Sequence, residues 1–178
     1  MDDKNLEVIK LPEGTTCVEF GAFEYYDNLV AIDLPNSITT IDNFAFEGCK
    51  NLVLNELPNN ITIIGICAFK ECKKISLTKL PDCICHIAFG AFSDCENLAF
   101  SKIPNNIVYI GYKAFSNCIN LKSITFEGTP KCISKTAFDG CDNLKEINVP
   151  WPKGKVSGAP WGAINAVINY NYNTQEEG

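Results

Sequence analysis

The chain has 178 residues, 46% of them hydrophobic and 20% charged, with a formal net charge of −6. That is enough apolar material for one domain with a continuous core, and it excludes a disordered or collagen-like chain. The acidic balance leaves no basic stripe to track phosphates, so nucleic acid is not an expected partner, and no run of about 18 apolar residues offers a membrane insertion.

Met1-Asp2-Asp3-Lys4 is acidic and has no apolar stretch behind it, so it does not read as a signal peptide. From Asn5 onward the chain repeats itself. Ala-Phe recurs at Ala22-Phe23, Ala45-Phe46, Ala68-Phe69, Ala91-Phe92, Ala114-Phe115 and Ala137-Phe138, every step being 23 residues. Cys49, Cys72, Cys95, Cys118 and Cys141 keep the same step, with Tyr26 in the equivalent earlier place. So do Pro12, Pro35, Pro58, Pro81, Pro104 and Pro150, with Glu127 as the one gap, and Asn5, Asn28, Asn51, Asn97, Asn120 and Asn143, with Lys74 as the substitute. Four ladders in one register mark a repeat architecture.

Within a unit, Leu29 to Leu34 has near-strand spacing and stops at Pro35, which cannot donate to a ladder. Ile38 and Ile41 return to the core. Phe46 and Cys49, three apart, suit a short helical turn. Asn51 follows, where a residue tolerant of positive φ helps reverse the chain. One unit cannot bury its own apolar side, but stacked units can. The fold expected is therefore a repeat solenoid of α/β type, with a parallel sheet on one face and short helical or irregular turns on the other. Residues 1–150 make six full units and a last strand, a rod of about 30 Å at roughly 4.8 Å per stacked strand.

The first unit has almost nothing before it. Leu6, Ile9 and Leu11 are expected to present an open edge, which either docks a second copy or another protein to give a homo-oligomer or larger assembly, or is covered locally by Val8, Tyr25 and Tyr26. In three middle units the apolar strand residue moves one place earlier, to Leu54, Leu77 and Phe100, leaving Asn55, Thr78 and Ser101 in the usual slot. A one-residue slip reverses the side a strand residue faces. Either these three still face the core, with a polar row outside, or they form an exposed apolar stripe that, with solvated Glu56, Lys79 and Lys102, makes a binding face. Tyr109, Tyr112 and the tail tyrosines are further candidate aromatic contacts.

The cysteine column reads as reduced thiols packed as small hydrophobes: no C-x-x-C pair is present, and parallel stacked side chains suit disulfide geometry poorly. Cys17, Cys67, Cys83, Cys85 and Cys132 fall at variable positions and read as incidental. His86 is the only histidine, with no carboxylate or serine in register to form a triad. No phosphate-binding glycine loop and no repeated acidic pair is present. The expectation is no enzyme, no catalytic residue, no metal and no cofactor. After the repeats, Trp151 and Trp161 are large enough to cover the last coil, and Ile168, Tyr170 and Tyr172 alternate with Asn169 and Asn171 as a half-buried strand does. Residues 151–173 are thus read as a cap and 174–178 as a disordered tail.

The units L-P-N-S-I-T-T-I-D-N-F-A-F-E-G-C (Leu34 to Cys49) and I-P-N-N-I-V-Y-I-G-Y-K-A-F-S-N-C (Ile103 to Cys118) resemble the BspA-type leucine-rich repeat, over about residues 5–150. The end, Ile147 to Tyr172, resembles the closing segment of some gut-bacterial and phage-encoded members. The resemblance implies a curved solenoid with its parallel sheet on the concave face. It also implies surface display and adhesion: a protein or cell-surface glycan target on host matrix, other cells or, for phage proteins, a host bacterium. No active-site residue is implied. With no leader or anchor in this chain, the alternative is a structural or decoration component of a phage particle, docked through its N-terminal end and able to bind a receptor. Both place the protein outside cells or on a virion.

Overall fold

The structure, a computed structural model, describes residues 5–172. The tail read at 174–178 lies outside the described residues. The chain winds as a stack of coils held by parallel pairing. Strands at one position of the repeat are β2 (Cys17–Val18), β4 (Thr40–Ile41), β5 (Ile63–Ile64), β6 (His86–Ile87), β8 (Tyr109–Ile110) and β10 (Cys132–Ile133), and they form one unbroken six-stranded ladder. Strands at the other position are β1 (Val8–Lys10), β3 (Ala31–Asp33), β7 (Lys102–Ile103), β9 (Ser123–Phe126) and β11 (Glu146–Val149), joined at the end by β12 (Val167–Tyr170). This second ladder is broken into β1-β3 and β7-β9-β11-β12, with no strand in the two coils between.

The break lies at the slipped coils. Leu77 and Phe100 are fully buried and Leu54 packs against the core, while Asn55, Thr78 and Ser101 are exposed. In the regular coils Ile32, Ile124 and Ile147 hold the core position one residue later. Turning the apolar side inward one residue early takes the backbone out of phase with its regular neighbours, so the paired register cannot run through. Backbone contact survives only before the slip, as Ser76 N–H donates to the Leu54 carbonyl at 3.0 Å.

No helix is present among the described residues, which corrects the helical part of the expected fold. The reason is where the N–H groups go. Phe44, Phe46 and Gly48 donate forward to carbonyls of Ile66, Ala68 and Lys70 in the next coil, each at 2.8 Å. The intervening Ala45, Glu47 and Cys49 donate locally to Asp42, Phe44 and Phe46. Half the donors are therefore committed between coils, and an α-helix would need all of them within one. The alternation requires left-handed residues: Phe44 and Gly48 have φ of 59° and 74°, and Cys67 and Glu71 repeat them one coil on at 51° and 61°. The asparagine column is not where positive φ falls, contrary to its expected role in reversing the chain. It bridges coils instead: Asn51 Nδ2 donates to the Asp27 carbonyl at 2.8 Å, and Lys74 Nζ to Asn51 Oδ1 at 2.7 Å.

Core side chains stack on their own equivalents. The phenylalanine rings from Phe23 to Phe138 lie 5.2–5.5 Å apart, near parallel after the first pair. Offset stacks of this kind contribute about 0.5–1.5 kcal/mol each beyond burial. Each column thiol also donates to the phenylalanine carbonyl of the previous coil, as Cys72 Sγ does to Phe46 at 3.0 Å and Cys95 Sγ to Phe69 at 2.9 Å. The column is more than small hydrophobes: it supplies a second donor to a carbonyl already accepting one N–H.

The last coil is short. β11 meets β9 in a 23-residue step and β12 in a 21-residue step. Trp161 takes the backbone place of the Ala-Phe alanine: its carbonyl accepts the Phe138 N–H at 2.9 Å, as the Ala137 carbonyl accepts that of Phe115, and its own Nε1 donates to the Ser157 carbonyl at 2.8 Å. Trp151 lies edge-on to Phe126 at 5.2 Å, and both indoles are buried.

Burial pushes the Cys72, Cys95 and Cys118 thiols well above their ordinary value and Cys141 up to about 12. Raised folded values mean that the unfolded chain loses these protons first. Stability is then fully present below pH 9 and falls as pH climbs from about 9 toward 12. The urea midpoint is expected to be flat from pH 7 to 8 and to drop steadily above pH 9; a midpoint unchanged at pH 10.5 contradicts buried protonated thiols.

Candidate functional site

The six-stranded ladder alternates strictly, so one residue of each two-residue strand faces the core and the other faces solvent. Val18, Ile41, Ile64, Ile87, Ile110 and Ile133 are buried. Outside, in register, stand Cys17, Thr40, Ile63, His86, Tyr109 and Cys132. Three residues further along each coil is a second outward column: Phe20, Asn43, Ile66, Phe89, Tyr112 and Lys135. In the three central coils both columns turn apolar or aromatic together, at Ile63, His86, Tyr109 and at Ile66, Phe89, Tyr112.

All six of these residues are exposed. The Phe89 and Tyr112 rings stack at 5.5 Å and 3°. Lys113 Nζ lies 5.6 Å from the Tyr112 ring centroid, a cation–π contact at the border of the patch. The backbone beneath is paired on both sides, so the surface is rigid and pre-shaped. Ligand contact here costs little ordering entropy.

This block contains Tyr109 and Tyr112, which the sequence had marked singly, and adds Ile63, Ile66 and Phe89. The signal that finds them is the column itself: apolar residues at positions that hold Thr40 and Asn43 elsewhere. His86 is exposed within the row, flanked by Ile63 and Tyr109.

The face marked from sequence divides. Leu77 and Phe100 are core residues and cannot contact a partner, because the slip turned them inward; the exposed-stripe reading fails for them. Leu54 is half-buried. Glu56, Lys79 and Lys102 are exposed in one column, and Lys102 pairs with Glu127 at 3.4 Å. A polar hollow of about 250 Å³ lies where Leu54 and Glu56 meet Ile32 and Asp33, at one end of the broken ladder. At the N-terminal edge Leu6 is exposed, while Ile9 and Leu11 pack partly against the core. Among the described residues no cluster of three His, Cys, Asp or Glu side chains could hold a metal ion. No helix among them is long and apolar enough to cross a membrane.

The sequence matches the model of the BspA-type leucine-rich-repeat region, in 6 copies over residues 1–100 and 86–157. The chain belongs to the BspA-type leucine-rich-repeat family. It is similar to a solved leucine-rich repeat protein from Bacteroides ovatus, with 26% identity and a TM-score of 0.67 over 79% of this chain. It is likewise similar to the solved T. pallidum leucine-rich repeat protein, with 29% identity and a TM-score of 0.69 over 80% of this chain. The match covers 39% of the Bacteroides chain and 72% of the T. pallidum chain. No curated protein matches. Family members of this kind are generally non-enzymatic protein-binding or surface-associated repeats.

The slip has a direct test. Leu77→Ala is expected to cost about 2–5 kcal/mol of unfolding free energy, as a buried leucine does, and Lys79→Ala less than about 0.5 kcal/mol. Equal effects in urea titrations would place Leu77 outside the core.

Proposed function

We propose that this solenoid is a recognition module that binds a protein on a cell or matrix surface through the outward face of its six-stranded ladder. The observation that carries this reading is the double column of Ile63, His86 and Tyr109 beside Ile66, Phe89 and Tyr112. Contiguous exposed apolar surface is uncommon on a soluble chain unless something covers it, and aromatic side chains dominate binding hot spots. Contact along this face needs no chemistry and no cofactor. Adhesion is the expected consequence when the target is anchored.

Surface plasmon resonance against immobilised extracellular-matrix proteins and whole bacterial cells tests it. Ile63→Asp and Tyr109→Asp are each expected to weaken binding at least tenfold with little change in Tm, and Val53→Asp, exposed on the other face, to leave it unchanged. Equal binding by all three variants, or no binding in any arm, overturns the assignment.

A second reading, attachment to a larger particle such as a phage head or tail, is favoured by the first coil, where Val8 is 69% and Phe20 65% exposed. Removing residues 1–11 is then expected to abolish co-sedimentation with particles and to spare binding by the ladder face. Co-sedimentation that survives the truncation rules this attachment out.

A further inference from the structure

Beside the ladder face the Ala-Phe turns of three central coils form a half-open cavity of about 330 Å³, lined among others by Lys70, Phe89, Gly90, Asp94, Lys113 and Ser116. The hollow exists because small residues coincide. In one column the coils carry Phe44, Cys67, Gly90 and Lys113; in another, Glu47, Lys70, Ser93 and Ser116. Gly90 and the two serines are therefore a local depression in columns that long side chains fill elsewhere. Gly90 sits at φ 59°, and a Cβ there would come 3.1 Å from Cys67 Sγ, so the missing side chain leaves the floor open.

Its polar groups form a mixed donor and acceptor set. Asp94 accepts from Ser93 Oγ at 2.7 Å and from Asn117 Nδ2 at 2.8 Å, one bond to each carboxylate oxygen, which leaves lone pairs for further donors. Ser116 also lines the cavity, and its hydroxyl can both donate and accept. Phe89 adds an apolar wall.

Charge narrows the ligand. Lys70 is already committed to Glu47 at 2.8 Å and to Glu71 at 3.5 Å. What remains are the Asp94 carboxylate and the Lys113 ammonium, which lies over the Tyr112 ring at the cavity's border, one charge of each sign, so the cavity favours neither an anion nor a cation. A neutral ligand with one apolar face and adjacent hydroxyls fits: the hydroxyls meet Asp94, Ser116 and Lys113, and the C–H face lies on Phe89. We infer that this cavity is a subsite for a neutral hexose residue of a glycan. It stands whether or not the ladder face binds protein.

Saturation-transfer NMR on the full chain, with methyl glycosides of neutral hexoses and N-acetylhexosamines beside sialic acid and a sulfated hexose, tests the inference. Transfer to at least one neutral glycoside is expected, and none to the acidic sugars. Asp94→Asn, which tolerates the left-handed backbone at φ 61°, is expected to weaken binding at least tenfold at an unchanged Tm. Ile63→Asp, outside the cavity, should leave it intact, which separates this site from the ladder face. Absence of transfer to any neutral glycoside, transfer to acidic sugars alone, or full binding by Asp94→Asn overturns it.

Discussion

Everything in this fold depends on hydrogen bonding from one coil to the next at the Ala-Phe turn. Alternate N–H groups point along the rod axis and find carbonyls only in a neighbouring coil. An isolated coil would leave them unpaired, so no unit is stable alone. The fixed step then brings each residue onto its own equivalent: ring on ring, thiol on carbonyl, amide on amide. The Phe46 carbonyl illustrates the economy of space, taking the Cys49 N–H of its own coil and the Cys72 thiol of the next. A side chain at that point must be short, apolar enough for the core and able to donate, and cysteine meets all three conditions.

Because translation satisfies the core, the outward columns are left free to change without loss of the fold. Two kinds of change appear in the same three coils. Apolar and aromatic residues replace polar ones along the ladder face, giving a firm hydrophobic surface. Small residues replace long ones beside it, giving a polar hollow. Neither disturbs a core column, and the paired backbone beneath holds both in place. Recognition surfaces on a solenoid are built in this way, by local variation on a rigid lattice.

The slipped coils show the limit of that freedom. Moving Leu54, Leu77 and Phe100 one residue earlier keeps the core filled but interrupts the second ladder. The first ladder, two residues wide, runs unbroken past the same coils and carries the stack. A short ladder with every core position held by Val or Ile is therefore the more robust of the two, since two residues leave little room for a change of phase.

The 23-residue period, the core columns and the strands before Pro12, Pro35 and Pro104 were legible in the sequence, because stacking places like on like and leaves a periodic trace. The period states which residues meet; it does not state where each N–H is directed. That choice turned the expected helical segment into an alternating left-handed turn, assigned the asparagines to bridging, and gave the thiols their carbonyl partners. The sequence alone also left open which way Leu77 and Phe100 face. The sidedness of a slipped strand and the meeting of Gly90 with Ser93 and Ser116 depend on contacts between coils, and only the packed stack decides those.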